Sequence, residues 1–185
     1  MVYQQNDVYE ARSPIHGMGI FAGRDFHVGE RVVMIDDARI VPEGSPDVDA
    51  DGRRLYYDDI GGGRVVQLGP LQYTNHSCDF TTYTKTIGGV RYRIARRDIH
   101  AAQEITSHYC INANFGGTWA CNCGSSTCLR QLTHSYFALP DQLQLEYLPL
   151  LDDWFIEENR QADGSVKFRR AKSENIKLSP CSRWS

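Results

Sequence analysis

Three cysteines, Cys121, Cys123 and Cys128, form a C-x-C-x4-C pattern on a Gly/Ser-rich stretch, and a fourth, Cys78, lies 43 residues before the first of them. Thiolates at this spacing suit zinc, which takes four ligands in a tetrahedron. One short loop supplies three without strain, and the fourth must be delivered by the fold. Four thiolates leave no open coordination position, so the metal would be structural and have no Lewis-acid role. Cys110 and Cys181 stand outside the pattern. Asn75 and His76 sit just before Ser77-Cys78, but nothing around them completes a nucleophilic triad. Tyr109 follows Glu104-Ile105-Thr106, a strand signal, so its hydroxyl ends a buried strand. On the residues alone it reads as a core tyrosine with a satisfied hydroxyl.

The surrounding elements read as short strands broken by turns. Short apolar runs occur at Val8-Tyr9, Ile20 to Ala22, Val32 to Ile35 and Val65 to Leu68, with Gly17-x-Gly19 and Gly29 between the early ones. Phe80 to Thr86 and Val90 to Ala95 flank Gly88-Gly89, a strong hairpin signal. Residues 36–63 carry Pro42, Gly44, Pro46 and several aspartates, and read as a polar insert interrupted by Leu55-Tyr56-Tyr57. Pro140 opens a stretch with Leu143, Leu145, Leu148 and Leu151, which predicts a short helix and a segment burying Trp154 and Phe155.

A chain of 185 residues, 41% hydrophobic and 23% charged, is long enough for one domain with a real core. No run is long enough to span a bilayer and no signal segment is evident, so reduced, metal-competent cysteines in an intracellular setting are expected. The net charge of −3 is uneven: residues 159–185 carry seven Lys/Arg against two carboxylates, a surplus of five, leaving −8 on the rest. An acidic body suits a basic peptide, although it also simply keeps a protein soluble. The basic segment reads as a flexible tail.

Asn75-His76-Ser77-Cys78, the strand leading to Tyr109 and the C-x-C-x4-C tail together resemble a SET-domain lysine methyltransferase with a post-SET zinc module. The order Gly17-x-Gly19, Phe21-Ala22, Gly29-Glu30 is similar to the opening of such domains, and the resemblance runs from about Ser13 to Leu132. It implies a mainly β fold, a β-clip of short sheets with a knot-like C-terminal crossover. A small zinc loop and a short C-terminal helix would complete it. The divisions would be a SET domain over 1–116 with its variable insert at about 36–63, a post-SET module over 117–134, a packing segment over 135–158 and the basic tail over 159–185.

The same resemblance implies S-adenosylmethionine as methyl donor, held by Gly17, Met18, Gly19, Asn75 and His76, with Leu132 against the adenine. Structural zinc would sit on Cys78, Cys121, Cys123 and Cys128, tying the cofactor loop to the metal. Tyr109 falls on the catalytic tyrosine, with Ser107 and His108 beside it, and Tyr56 and Tyr57 are candidates for the substrate-groove wall. Ser107 replaces the usual aromatic residue and leaves room for dimethylation as the main outcome. His108 replaces an acidic residue and is expected to change charge near neutrality. The motif continues as Asp79-Phe80-Thr81 where the family has Pro and Asn, and the chain has no cysteine-rich pre-SET segment.

The implied function is protein-lysine N-methylation of a basic, lysine-containing peptide or protein, with a histone tail as the leading substrate and no requirement for membrane or nucleic acid. Such a protein would be nuclear if eukaryotic and histone-directed, and otherwise cytoplasmic. A SET-fold methyltransferase of a small molecule or non-histone protein, and a catalytically silent binding module, stay open at this point.

Overall fold

A computed structural model of the chain describes residues 7–37, 40–41, 45, 50–51, 55–60, 63–67 and 69–160. The basic segment from 161 onward, Cys181 and much of the polar insert lie outside the described residues. The order is β1 (Val8–Arg12), β2 (Met18–Ala22), β3 (Arg31–Met34), β4 (Ile40–Val41), β5 (Tyr57–Asp59), β6 (Arg64–Val66), β7 (Asn75–His76), β8 (Thr82–Ile87), β9 (Val90–Ala95), β10 (Glu104–Ser107), β11 (Asn114–Ala120), β12 (Gln131–Ser135), α1 (Asp141–Tyr147) and α2 (Asp153–Glu158).

Four small sheets result, in the orders β1-β2-β10-β7, β3-β9-β8, β4-β6-β5 and β11-β12. The short strands follow from the sequence, since each apolar run is only three or four residues long before a turn intervenes. At Gly88-Gly89 both residues take positive φ, +60° and +79°. That is the two-residue turn that matches strand twist, and it sets the register from Ile87↔Val90 to Thr82↔Ala95.

Strand β10 positions the site. Its first half pairs antiparallel with β2, at Glu104↔Phe21 and Ile105↔Ile20. Its second half pairs parallel with β7, at Thr106↔Asn75 and Ser107↔His76. One four-residue strand therefore sets the G-x-G segment, the Asn75-His76 pair and Tyr109 relative to one another. Glu104 reinforces this with its carboxylate, accepting from Ser13 Oγ at 2.8 Å and Asn75 Nδ2 at 2.8 Å.

Two apolar clusters fill the interior. One gathers Ile20, Phe26, Val32, Val33, Ile99 and Ile105 behind the first sheets. The other gathers Cys78, Phe80, Cys110, Cys121, Tyr136 and Phe155 around the C-terminal half. Phe155 is buried as expected, while Trp154 is only partly so. Within α1 the inward residues are Gln144 and Tyr147, and Leu145 is 41% exposed. Residues 144 and 147, three apart, set the inward face of α1, and Gln144 is tolerated inside because its Nε2 donates to the Leu139 carbonyl at 2.7 Å. The C-terminal segment holds two helices, the second capped by Asp152, whose side chain accepts from Asp153 N. Strands β11 and β12 form a hairpin whose connecting loop carries Cys121, Cys123 and Cys128.

Gly19 lies against the Glu104 hub. A Cβ at that position would stand 2.4 Å from Glu104 Oε1 and 3.0 Å from Ser13 Cβ. The carboxylate cannot swing aside without giving up its bonds to Ser13 and Asn75. Gly19→Ala is therefore expected to cost on the order of 1–3 kcal/mol, from overpacking and lost hydrogen bonds. Urea unfolding checks this, and an unchanged midpoint would show that the carboxylate relocates freely.

Candidate functional site

The chain turns through Ser13–Gly17, closed by Ser13 N–H donating to the Gly17 carbonyl at 3.0 Å. Gly17 has φ of +52° and open space where a side chain would be. Its glycine is demanded by that backbone conformation, whereas Gly19 is demanded by Glu104. Asn75 reaches this turn with its amide, donating to the carbonyls of His16 and Met18 at 3.1 and 2.9 Å as well as to Glu104. Its NH2 group thus holds the G-x-G segment in place and faces protein, which leaves Oδ1 as the atom able to address a ligand.

His76 is buried, and its ring is fixed at both nitrogens. Nδ1 accepts the Tyr109 N–H at 3.2 Å, and Nε2 lies 3.5 Å from Cys78 Sγ. A nitrogen that accepts an N–H bears no proton, so the neutral ring carries its hydrogen on Nε2 and directs it at the sulfur. Burial, with some repulsion from His134, lowers its pKa to about 4 and keeps it neutral.

Around that sulfur the thiols converge. Ligating atoms of His76, Cys78, Cys121 and Cys123 all lie within 4.8 Å of one another, and Cys78 Sγ is 3.9 Å from Cys121 Sγ. The Cys128 thiol interacts with those of Cys121 and Cys123. Backbone N–H groups point at the sulfurs: Cys78 N at Cys123, Leu129 N at Cys78 and Arg130 N at Cys128, at 3.4, 3.5 and 3.4 Å. Among the described residues none of these cysteines forms a disulfide. Burial pushes the Cys123 thiol up, but the N–H donors of Cys78 and Ser125 and the neighbouring thiols outweigh it and bring it to about 7. Converging soft donors with N–H groups aimed at the sulfurs fit zinc, and His76, committed to Tyr109 through Nδ1, fits the role of a donor to Cys78 better than that of a ligand.

Tyr109 leaves β10 beside this centre. Its hydroxyl donates to the Thr74 carbonyl at 2.7 Å, and burial raises its pKa to about 12 despite the opposing pull of Arg93. A cavity of about 470 Å³ opens next to it, lined by Tyr109, Ser107, His108, Tyr56, Tyr57 and Trp154, among others. The structure brings the three residues 107–109 and both tyrosines of the insert to one space.

One expectation changes. His108 is only 3% exposed, its Nδ1 accepting from Cys110 N at 3.3 Å and its Nε2 without a partner among the described residues. Packed by its ring against Phe80 and Tyr147, it has a pKa pushed down by burial, and further by His76 and Arg96, to about 3. It does not change charge near neutrality. Leu132, 3% exposed, pairs with Trp119 across the β11-β12 hairpin and packs in the second core.

Sequence reasoning passed over the side chains of Glu104, His76 and Arg93. For His76 a signal existed, because residues two apart in extended chain share a face and place it with Cys78.

Comparisons with known proteins bear on this arrangement. A family model described as the SET domain matches residues 17–110, just over half of the chain. The chain belongs to the SET domain family. This SET domain is 28% identical over 144 residues to the "Putative histone-lysine N-methyltransferase 1" of Plasmodium falciparum, covering 68% of this chain and 2% of that protein. It is 28% identical over 137 residues to the histone-lysine N-methyltransferase trr of Drosophila melanogaster, covering 67% of this chain and 6% of that protein. The chain therefore spans only a few per cent of the length of these relatives. A crystal structure of a Plasmodium falciparum "putative histone methyltransferase" aligns with TM-score 0.46 and 19% identity, over 57% of this chain and 95% of that one. The SET domain matched by the family model has the mainly β architecture of short sheets described above, and no helix among the described residues is long and apolar enough to cross a membrane.

Two outcomes are expected from the site's geometry. Cys123→Ser should lower zinc content and, because Cys78 of the thiol cluster lies three residues after Asn75, weaken binding of S-adenosylmethionine. Metal analysis together with calorimetric titration of S-adenosylmethionine measures both, and stoichiometric zinc with unchanged affinity would refute the link. The second concerns acid. The folded-state pKa of His108 lies below its ordinary 6.5, so the unfolded chain takes up the proton first. Its contribution to stability is complete above pH 6.5 and is lost as pH falls, by about 1.4 kcal/mol per pH unit. Urea midpoints at pH 7 and 5.5 should therefore fall less in His108→Leu than in the wild type; equal falls would mean that His108 takes up a proton in the folded chain as readily as in the unfolded one.

Proposed function

We propose that this SET domain is an S-adenosylmethionine-dependent protein-lysine N-methyltransferase whose catalytic tyrosine is Tyr109. The observation that supports it most directly is the Tyr109 hydroxyl. With its hydrogen committed to the Thr74 carbonyl, the oxygen presents lone pairs beside the cavity, where an amine N–H can be received. The names of its relatives agree with this chemistry.

The methyl donor fits the turn that Gly17 opens. Gly17, Met18, Gly19, Asn75 and the His76 backbone would hold it, and it supplies a methyl already activated on a sulfonium. The chain's own residues then have two tasks. Tyr109 orients the substrate nitrogen, and Tyr56 and Tyr57 wall the space along the lysine side chain. Ser107, 6% exposed on the cavity wall, leaves volume beside the amine for more than one methyl. Zinc on Cys78, Cys121, Cys123 and Cys128 would close the metal lobe as a structural ion.

A lysine-containing protein is the substrate class, and an intracellular, nuclear setting follows if that protein is a histone. Incubation with tritiated S-adenosylmethionine and whole-cell protein tests the proposal. Transfer of label to lysine is expected, with Tyr109→Phe reduced by about 100-fold or more, in the range of a positioned group lost from a reacting centre. Label transfer that Tyr109→Phe leaves intact would remove Tyr109 from the chemistry, and wild-type protein that binds the donor without labelling any protein would make this a binding module.

A further inference from the structure

The wall of the Tyr109 cavity is more positive than the chain's acidic body would suggest. Strand β9 contributes Arg91 and Arg93, residues two apart on one face, which are 4% and 7% exposed. Arg91 is neutralised twice over, by Asp37 at 3.2 Å and Asp58 at 2.6 Å. Arg93 is not. Its guanidinium donates to Thr84 Oγ1 at 2.7 Å, its Nε has no partner, and among the described residues no carboxylate stands within ion-pair distance of it. Burial lowers its pKa, opposed by the more distant Asp58. A cation taken from water is costly unless an anion or further acceptors meet it, and here the open direction is the cavity shared with Tyr109.

We infer that Arg93 is a recognition site for a carboxylate on the substrate, so that the protein methylates lysines accompanied by an acidic residue, or by the chain's C-terminal carboxylate, in preference to lysines in wholly basic sequence. The inference rests on the methyltransferase reading above and names its substrate class. The fit is chemical. A guanidinium offers a planar pair of N–H donors matched to a carboxylate, and the low dielectric of a buried wall strengthens the pair. The same positive charge disfavours an ammonium nearby, so it helps the entering lysine shed its proton, while the substrate's own carboxylate restores local neutrality. A tail rich in arginine and lysine would instead bring more positive charge to a wall that has a surplus already.

The test uses the full chain and a library of peptides with one lysine, each with Glu or Gln at one of the flanking positions, and a further set ending in a free or amidated C-terminus. The wild type should favour Glu over Gln at one position, or the free over the amidated terminus, by about tenfold or more in kcat/KM, as a charged hydrogen bond implies. The position distinguishes the two sources of carboxylate. Arg93→Met removes a buried cation that has no carboxylate partner, and it should bring the Glu and Gln peptides, or the free and amidated termini, to equal kcat/KM. Indifference of the wild type to every Glu and terminus, or a preference surviving in Arg93→Met, would overturn the inference. Peptide binding by fluorescence anisotropy, run on the same library, keeps the two readings apart. If no peptide is methylated, selective binding of acidic peptides lost in Arg93→Met still upholds the carboxylate site while the methyltransferase reading fails, and unselective binding refutes it.

Discussion

The imidazole of His76 is the piece on which the site depends. On one side it receives the backbone N–H of Tyr109, and on the other it faces the sulfur of Cys78. Both contacts require a neutral ring with a single tautomer, and a buried position secures that neutrality. Loss of the hydrogen at Nε2 or gain of one at Nδ1 would break one contact or the other. The catalytic candidate and the thiol cluster therefore share one rigid intermediary, the last residue of β7. The rest of the first sheet serves to keep β7 and β10 side by side.

Much of this was legible in the sequence because it is written in local signals. The Gly88-Gly89 hairpin, the strand before Tyr109 and the cysteine spacing depend on turn chemistry and ligand geometry, which act over a few residues. Less visible was whatever depends on surroundings. His108 looks like a neutral-pH switch by type, but aromatic packing on Phe80 and Tyr147 strips its water and removes that behaviour. The burial of Gln144 was not visible either, since a hydrogen-bonded amide can occupy an interior position that the helical face dictates.

Charge shows the same division. Counting residues gives an acidic body, which is a property of the whole surface, whereas the cavity beside Tyr109 depends on which few side chains the strands turn inward. In β9 an alternating pattern would place Tyr92 and Ile94 inside and the arginines out. The structure buries Arg91 and Arg93 because β9 is the middle strand of its sheet, covered on both faces, and the insert brings Asp58 over one of them. Net charge thus says little about what a pocket prefers to hold.

The separation of Cys78 from Cys121 has a consequence for how the molecule is made. The two sulfurs end 3.9 Å apart, but 43 residues lie between them in the chain. At a synthesis rate of about 5–20 residues per second, the earlier cysteine waits roughly 2–9 seconds for its partners. The first apolar cluster draws most of its members from residues 8 to 105 and can gather during that interval, whereas the second cannot close until the C-terminal helices have been delivered. Birth of the protein is thus staged, with one half consolidated while a lone thiol at its edge still waits for the other half to arrive.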